Sequence, residues 1–172
     1  AKVPMKAFEV EMAVLPLLLE IDSRGMTINQ ERLEYWIAKT SRDMVFYKMQ
    51  CENLGFNPGS PQQVAVILKK RGHQLWYNKK KHAVTSDELM EAAYASDPVT
   101  WMVLGYRMAQ TRLKSTLMKI KTLQKNGRIK CRFNQNIAST GRLTSSSPNL
   151  QNITEGLRDI FVAAPGKEFL DW

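Results

Sequence analysis

The sequence predicts a mainly α chain, α+β overall: a run of helices, two of them long, followed by a few β-strands. Three observations predict it. Apolar residues recur at helical spacing from Phe8 to Ile120. Residues that start and stop helices bracket those stretches in the right order. After Gly127 the pattern changes to a short alternation, and then to sequence rich in Ser, Thr, Asn and Gly.

The first helix spans Phe8–Arg24, with Val10, Val14, Leu17, Leu18 and Ile21 at helical spacing and Gly25 as a left-handed cap. A longer helix runs from Asn29 to Leu54, with Leu33, Ile37, Met44 and Tyr47 as core contacts, until Gly55, Pro58 and Gly59 break the chain. A short helix opens at Ser60, where Pro61 suits the first turn and Gln63 completes a capping box. Gly72 follows its end. Gln74–Ala83 is a basic loop or short hairpin, and its run Lys79-Lys80-Lys81 reads as a solvated loop tip. Thr85 and Glu88 form a second capping box for a helix through Ala95. Asp97-Pro98 starts a long helix with an apolar stripe of Trp101, Leu104, Met108, Leu113, Leu117 and Ile120. Asn126-Gly127 turns the chain, and Arg128–Phe133 reads as a strand.

The bulk properties fit one ordinary domain, or one domain and part of another: 172 residues, 44% apolar. The composition is neither that of a disordered chain nor that of a membrane protein. The apolar run Ala13–Leu19 is too short to span a bilayer, and Glu9 and Glu11 precede it where a signal peptide carries positive charge. Cys51 and Cys131 are far apart and give neither a metal-ligand spacing nor a disulfide framework, which fits a reducing, cytoplasmic setting.

A net charge of +9 is compatible with a merely soluble basic protein, or with an anionic partner such as nucleic acid or an anionic membrane surface. Its distribution points to the anionic partner. Pro98 to Thr154 holds no Asp or Glu but carries Arg107, Arg112, Lys114, Lys119, Lys121, Lys125, Arg128, Lys130, Arg132 and Arg142. Like charges repel, so a single-sign stretch of this length suits phosphates as its counter-charge.

The stretch GRIKCRFNQNIASTGRLTSSSPNLQN, ending at Asn152, is polar and rich in amide side chains. Each amide carries a donor and an acceptor, as minor-groove edges require. Arg142 can fork onto base acceptors or a phosphate, or can pair with a carboxylate of the protein itself. A Ser-rich surface loop has the same composition.

Thr140–Ile153, TGRLTSSSPNLQNI, is similar to the TGRLSSSxPNLQNIP signature of family A DNA polymerases. Arg107 and TRLKST (Thr111–Thr116) resemble the family's YR…KLKSTY segment on the long thumb helix. Gly127-Arg128-Ile129 with Phe133-Asn134-Gln135 resembles its GR(I/L)H…FNQ segment. Glu9 to Ile28, with Leu15, Glu20, Gly25 and Met26, resembles the opening of the polymerase region. Gly156-Leu157-Arg158 and Phe161-Val162-Ala163 resemble its IR..FVA segment, and Phe169-Leu170-Asp171-Trp172 falls where the family has DYSQ. Thr40–Glu52 and Gln74–Ala83 carry no strong match. Three departures stand out: Thr154 replaces a Pro and is followed by a shortened segment lacking a basic residue, Trp172 replaces a Tyr, and Leu117 replaces the Tyr that ends KLKSTY.

The resemblance implies a thumb and its supporting helices over residues 1–133, including one long antiparallel helix pair, and the beginning of a palm over residues 134–172. It implies primer-template DNA as partner. Phosphates would meet Lys114, Lys119, Lys121 and Arg128, and the DNA backbone would meet Ser115 and Thr116. Arg142, Asn149, Gln151 and Asn152 would meet bases and sugars, with Arg112, Asn134, Gln135 and Thr140 on the same surface. Asp171 would be the catalytic, metal-binding aspartate. The chemistry implied is two-metal nucleotidyl transfer from dNTP, with Mg²⁺ as the ion. Within these 172 residues the fingers and the second catalytic carboxylate are absent, so this stretch alone is expected to be inactive. It would work with the remainder of the polymerase, in the same or a separate polypeptide, in a bacterial or phage-infected cell. The other reading is a non-catalytic basic nucleic-acid-binding module.

Overall fold

The structure is a computed structural model that describes residues 5–78, 80, 85–135, 137, 138 and 140–169. It is mainly helical with two small antiparallel sheets, as the sequence predicts. The chain divides into two compact units. One is Ile37–Ser115, and the other joins Ala1–Trp36 to Thr116–Trp172.

The unit Ile37–Ser115 contains most of α2 (Gln30–Asn53), α3 (Pro61–Lys70), α4 (Asp87–Tyr94) and α5 (Pro98–Thr111). Its core joins Cys51 of α2, Phe56, Val64 and Leu68 of α3, Met90 of α4, and Val99, Val103 and Leu104 of α5. Gly105 lets α2 and α5 approach closely. A Cβ there would stand 2.6 Å from the Tyr47 ring. Burial, with Glu52 adding to it, pushes the Cys51 thiol up to about 11.

The caps of this unit follow the sequence in part. Ser60 caps α3 by accepting from Gln63 N at 3.4 Å. The Gln63 side chain does not close the predicted box but accepts from Asn57 N at 2.7 Å, which ties down the preceding turn. The fourth helix starts at Asp87 rather than at Thr85, with Met90 N bonded to Ser86 C=O. Thr85 is buried, and its carbonyl and hydroxyl both accept from Arg107, which also pairs with Asp87 at 2.9 Å. A charged partner reaching from α5 thus claims the residue that local pattern assigned to a cap.

Asp97 caps α5 as predicted, accepting from Val99 N at 2.9 Å. It is buried, and its other oxygen meets Arg71 Nε at 2.6 Å and His73 Nε2 at 2.7 Å. Burial alone would raise this carboxyl. The hydrogen bonds from Arg71, His73 and Val99 outweigh it and hold the pKa down to about 2.

The second unit contains α1 (Met5–Arg24), the first turns of α2, α6 (Met118–Leu123), and five short strands. Strand β1 (Met26–Ile28) lies between β2 (Arg128–Ile129) and β5 (Phe161–Val162), antiparallel to both. Strand β3 (Arg132–Asn134) pairs with β4 (Thr144–Ser146). Leu18, Ile28, Leu33, Ile120, Ile129, Leu157 and Ile160 are among its buried residues. Gly25 ends α1 at φ +62°, where a Cβ would lie 2.5 Å from Ile129 C=O. Asn126 and Gly127, both at positive φ, make the two-residue turn into β2, closed by Lys125 N to Arg128 C=O at 2.8 Å. Asp159, on the 3₁₀ turn Glu155–Ile160, accepts from Arg32 Nε and Trp36 Nε1, each at 2.8 Å. These bonds outweigh burial and lower its pKa.

Three findings refine the sequence reading. Of the apolar residues spaced along α1 only Leu18 is buried, while Val10, Leu17 and Ile21 face outward. Periodicity marks a helix but does not say what covers it. The predicted strand Arg128–Phe133 is two strands in two sheets, broken at Lys130-Cys131. The stripe on the long helix is buried at Leu104, Leu117 and Ile120, but Trp101 and Met108 are both 59% exposed, and Val99, Val103, Tyr106 and Ala109 are buried in their place. That stripe contained a five-residue step, Met108 to Leu113, which a 3.6-residue repeat does not carry. A π turn with its wider repeat stands directly after α5, at Arg112–Leu117.

Candidate nucleic-acid interface

The polar stretch after Gly127 is folded largely by its own side chains. Across the β3–β4 pair, Arg132 faces Ser146, Phe133 faces Ser145 and Asn134 faces Thr144. Asn134 Nδ2 donates to Ser146 Oγ at 3.1 Å, and Gln135 Nε2 donates to the Glu11 carbonyl at 2.9 Å. Asp22 of α1 accepts from Phe133 N at 3.2 Å. The buried hydroxyl of Ser145 donates to Asn149 Oδ1 at 2.9 Å, and the same oxygen accepts from Gln151 N at 3.0 Å. Gln151 Nε2 reaches Leu143 C=O at 3.3 Å. Ser145 is the hub that sequence reasoning missed. Its only signal was the Ser-Ser-Ser-Pro-Asn run, in which no one serine stands out.

The structure thus occupies side chains of Asn134, Gln135, Asn149 and Gln151 in shaping the loop. Thr140, Arg142 and Asn152 are exposed. Gly141 sits at φ +71° with nothing within 4 Å of its would-be Cβ, so the backbone conformation, not crowding, requires glycine there. Among the described residues nothing pairs with the Arg142 guanidinium, which projects from this turn as an uncompensated cation.

The other cations divide between the two units. In the unit with the hairpin, Thr116 is half-buried and Lys119 and Lys121 are exposed. Lys121 pairs with Glu34 at 2.8 Å. Arg128 is turned inward. Its Nε, Nη1 and Nη2 donate to Arg24 C=O, Thr27 Oγ1 and Gly25 C=O at 3.0, 3.0 and 2.9 Å. Two of these acceptors are carbonyls at the end of α1 that have no helical partner. In the unit Ile37–Ser115, Lys114 and Ser115 are exposed on the π turn, and Arg112 lines a cleft with Asp43, Tyr47 and Trp101.

Asp171 lies outside the described residues. Among those described, no group of three or more His, Cys, Asp or Glu side chains gathers where an ion could be held, so they do not by themselves fit a metal. No helix among them is long and apolar enough to cross a membrane.

The fold and the folded polar stretch meet known proteins at this point. A family model described as DNA polymerase family A matches residues 29–172. DNA polymerase I of Pseudomonas aeruginosa is 33% identical over 177 residues, covering 94% of this chain and 19% of that protein. DNA polymerase I of Chloroflexus aurantiacus is 33% identical over 181 residues, covering 95% of this chain and 19% of that protein. Among solved structures, the POL domain of Pol1 from M. smegmatis in complex with DNA primer-template and dNTP matches with a TM-score of 0.75 and 31% identity. That match covers 91% of this chain and 30% of that one. A mainly helical protein with a basic, acid-free polar segment at its surface is thus placed by its relatives: the chain belongs to DNA polymerase family A. It spans about a fifth of the length of the curated relatives it matches.

Proposed function

We propose that this stretch grips primer-template DNA within a DNA-directed DNA polymerase, with residues 1–133 as thumb and supporting helices and residues 134–172 as the beginning of the palm. Arg142 carries the reading. It is an exposed guanidinium on a positive-φ glycine turn, in a loop whose amides are engaged in holding the loop's shape. A fork held this way can span minor-groove acceptors shared by all base pairs and report the shape of a pair rather than its identity. Thr140 and Asn152 are exposed in the same stretch and meet the DNA with it. Lys119 of one unit, and Lys114 with Ser115 of the other, meet phosphates and the backbone.

Nucleotidyl transfer belongs to this stretch together with the fingers and the rest of the palm, in the same or a separate polypeptide. Asp171 would hold Mg²⁺ there with carboxylates contributed from outside these residues, and the ions would stabilise charge on the dNTP phosphates. What this stretch supplies is the hold on the duplex and the alignment of its end. The family match and the primer-template and dNTP in the M. smegmatis complex support this.

The test is fluorescence anisotropy of a labelled primer-template against residues 1–172. Arg142→Ala is expected to weaken binding about tenfold, the scale of one forked base contact. Arg142→Lys should restore little, and the unfolding midpoint should not move. If Arg142→Ala binds as tightly as the parent, or destabilises the fold, the assignment is wrong. With Mg²⁺ and dNTP, residues 1–172 alone should extend no primer. Extension by protein free of host polymerase would overturn the stated need for the remainder.

A further inference from the structure

The unit Ile37–Ser115 contains a cleft of about 610 Å³ between α2, α4 and α5. That volume is in the range of small-molecule sites. The duplex-binding residues proposed above are not among its lining. Trp101 of α5 stands in one wall, 59% exposed. Its Nε1 donates to Ala95 C=O at 2.8 Å, in the turn after α4. The indole is thus held in place with its one donor engaged inside the protein, and its face is what it offers a ligand. Tyr47 of α2 lines the same cleft, its ring seated where Gly105 has no Cβ.

The charge of the cleft runs against that of the chain. The chain carries a net +9, and from Pro98 to Thr154 it holds no Asp or Glu. The cleft nonetheless has two carboxylates, Asp43 from α2 and Glu91 from α4, against one guanidinium, Arg112. Among the described residues neither carboxylate has a hydrogen bond or an ion pair. Arg112 and Trp101 stand about 16 Å apart at the rise of an α-helix, beyond the reach of a screened charge. Thr40 is a second sign of a ligand. It lines the cleft at 2% exposed, and among the described residues no hydrogen bond reaches its hydroxyl. A hydroxyl so buried costs free energy until something bonds it.

A fixed indole face and an uncompensated carboxylate in one cleft match one ligand class. The ring quadrupole and the carboxylate both attract a cation. A hard metal ion needs a shell of oxygen ligands, which aromatic walls do not supply. A protonated amine needs only a few acceptors and an apolar wall for its chain. We infer that the cleft binds a small organic cation: a protonated amine at the Trp101 face and Glu91, an aliphatic body along Tyr47 and Met108, and a hydrogen-bonding tail at Thr40. The inference does not depend on the duplex-binding reading, and the two fail separately in the test.

Ligand-observed NMR titrations with residues 1–172 test this on ω-aminooctanol, octanediol and ω-hydroxyoctanoate. These probes share one chain and one hydroxyl tail, and differ at the other end as cation, neutral group and anion. The amine should bind about tenfold tighter than the diol, the scale of a cation on an indole with a carboxylate partner. Trp101→Leu and Glu91→Gln should each remove about threefold of that preference, and change diol affinity by less than about twofold. Trp101→Phe should keep part of it, because a ring face remains. Thr40→Val should weaken ω-aminooctanol about threefold but leave octylamine, which has no tail to bond, unchanged. Urea unfolding midpoints read the fold of each variant. Anisotropy with primer-template should not respond to Trp101→Leu, which keeps this reading separate from the duplex one. The inference is overturned if the diol binds as tightly as the amine, which makes the cleft merely apolar. It is overturned if ω-hydroxyoctanoate binds most tightly, which makes it an anion site at Arg112, or if Trp101→Leu and Glu91→Gln keep the full preference. An equal loss of octylamine and ω-aminooctanol in Thr40→Val overturns the place given to the tail.

Discussion

Arg128 and Arg142 are both assigned to DNA by their place in the polymerase pattern, and the structure gives them opposite surroundings. Arg128→Ala removes three hydrogen bonds from a charged, half-buried donor, and it leaves the Arg24 and Gly25 carbonyls without their partner. Each bond contributes on the order of 1 kcal/mol net, since water reaches part of the site, so the expected loss is about 3 kcal/mol. Arg128→Lys should recover less than half, because an ammonium cannot serve three diverging acceptors. Urea unfolding followed by far-UV circular dichroism measures the loss. Anisotropy with duplex DNA, under conditions where the variant is folded, should then show an unchanged salt slope. The reasoning fails if Arg128→Ala costs under about 0.5 kcal/mol while the slope falls by about 0.9, the share of one phosphate. In that case Arg128 is the phosphate contact that the sequence pattern assigns, and the inward bonds carry little.

Three further outcomes are expected. The Asp97 carboxyl is held at about 2 against an ordinary 3.8, so it contributes roughly 2 kcal/mol at neutral pH. That stability is full above the unfolded value, and is lost as pH falls through the folded one. Asp97→Asn should thus cost about 2 kcal/mol in urea unfolding at pH 7 and about half that near pH 3, and a gap that does not narrow would refute the charge assignment. Gly25→Ala meets a positive φ and a 2.5 Å contact with Ile129 C=O, so a loss of at least about 2 kcal/mol is expected in the same assay. Cys51, buried with its thiol pushed up to about 11, should resist a thiol reagent at pH 8 until the protein is unfolded, and rapid labelling of the native protein would contradict the burial.

Helices with local signals were legible in the sequence. Ser60-Pro61 and Asp97-Pro98 start their helices where the residues say, because a cap is a contact between neighbours in the chain. Asn126-Gly127 makes its turn for the same reason. The family was legible too, in a run of residues whose order needs no fold to be read. The tertiary structure decided what those residues face. Thr85 looked like a cap and is claimed by Arg107 from another helix. Arg128 and Arg142 are both arginines after a glycine, yet one faces the end of α1 and the other faces water. The amides of Asn134, Gln135, Asn149 and Gln151 have the same hydrogen-bonding capacity wherever they stand, and only the folded backbone brings them to partners within the protein. Residue type and spacing set what a side chain is able to bind. Which partner it meets depends on segments distant in sequence, and no local pattern contains them.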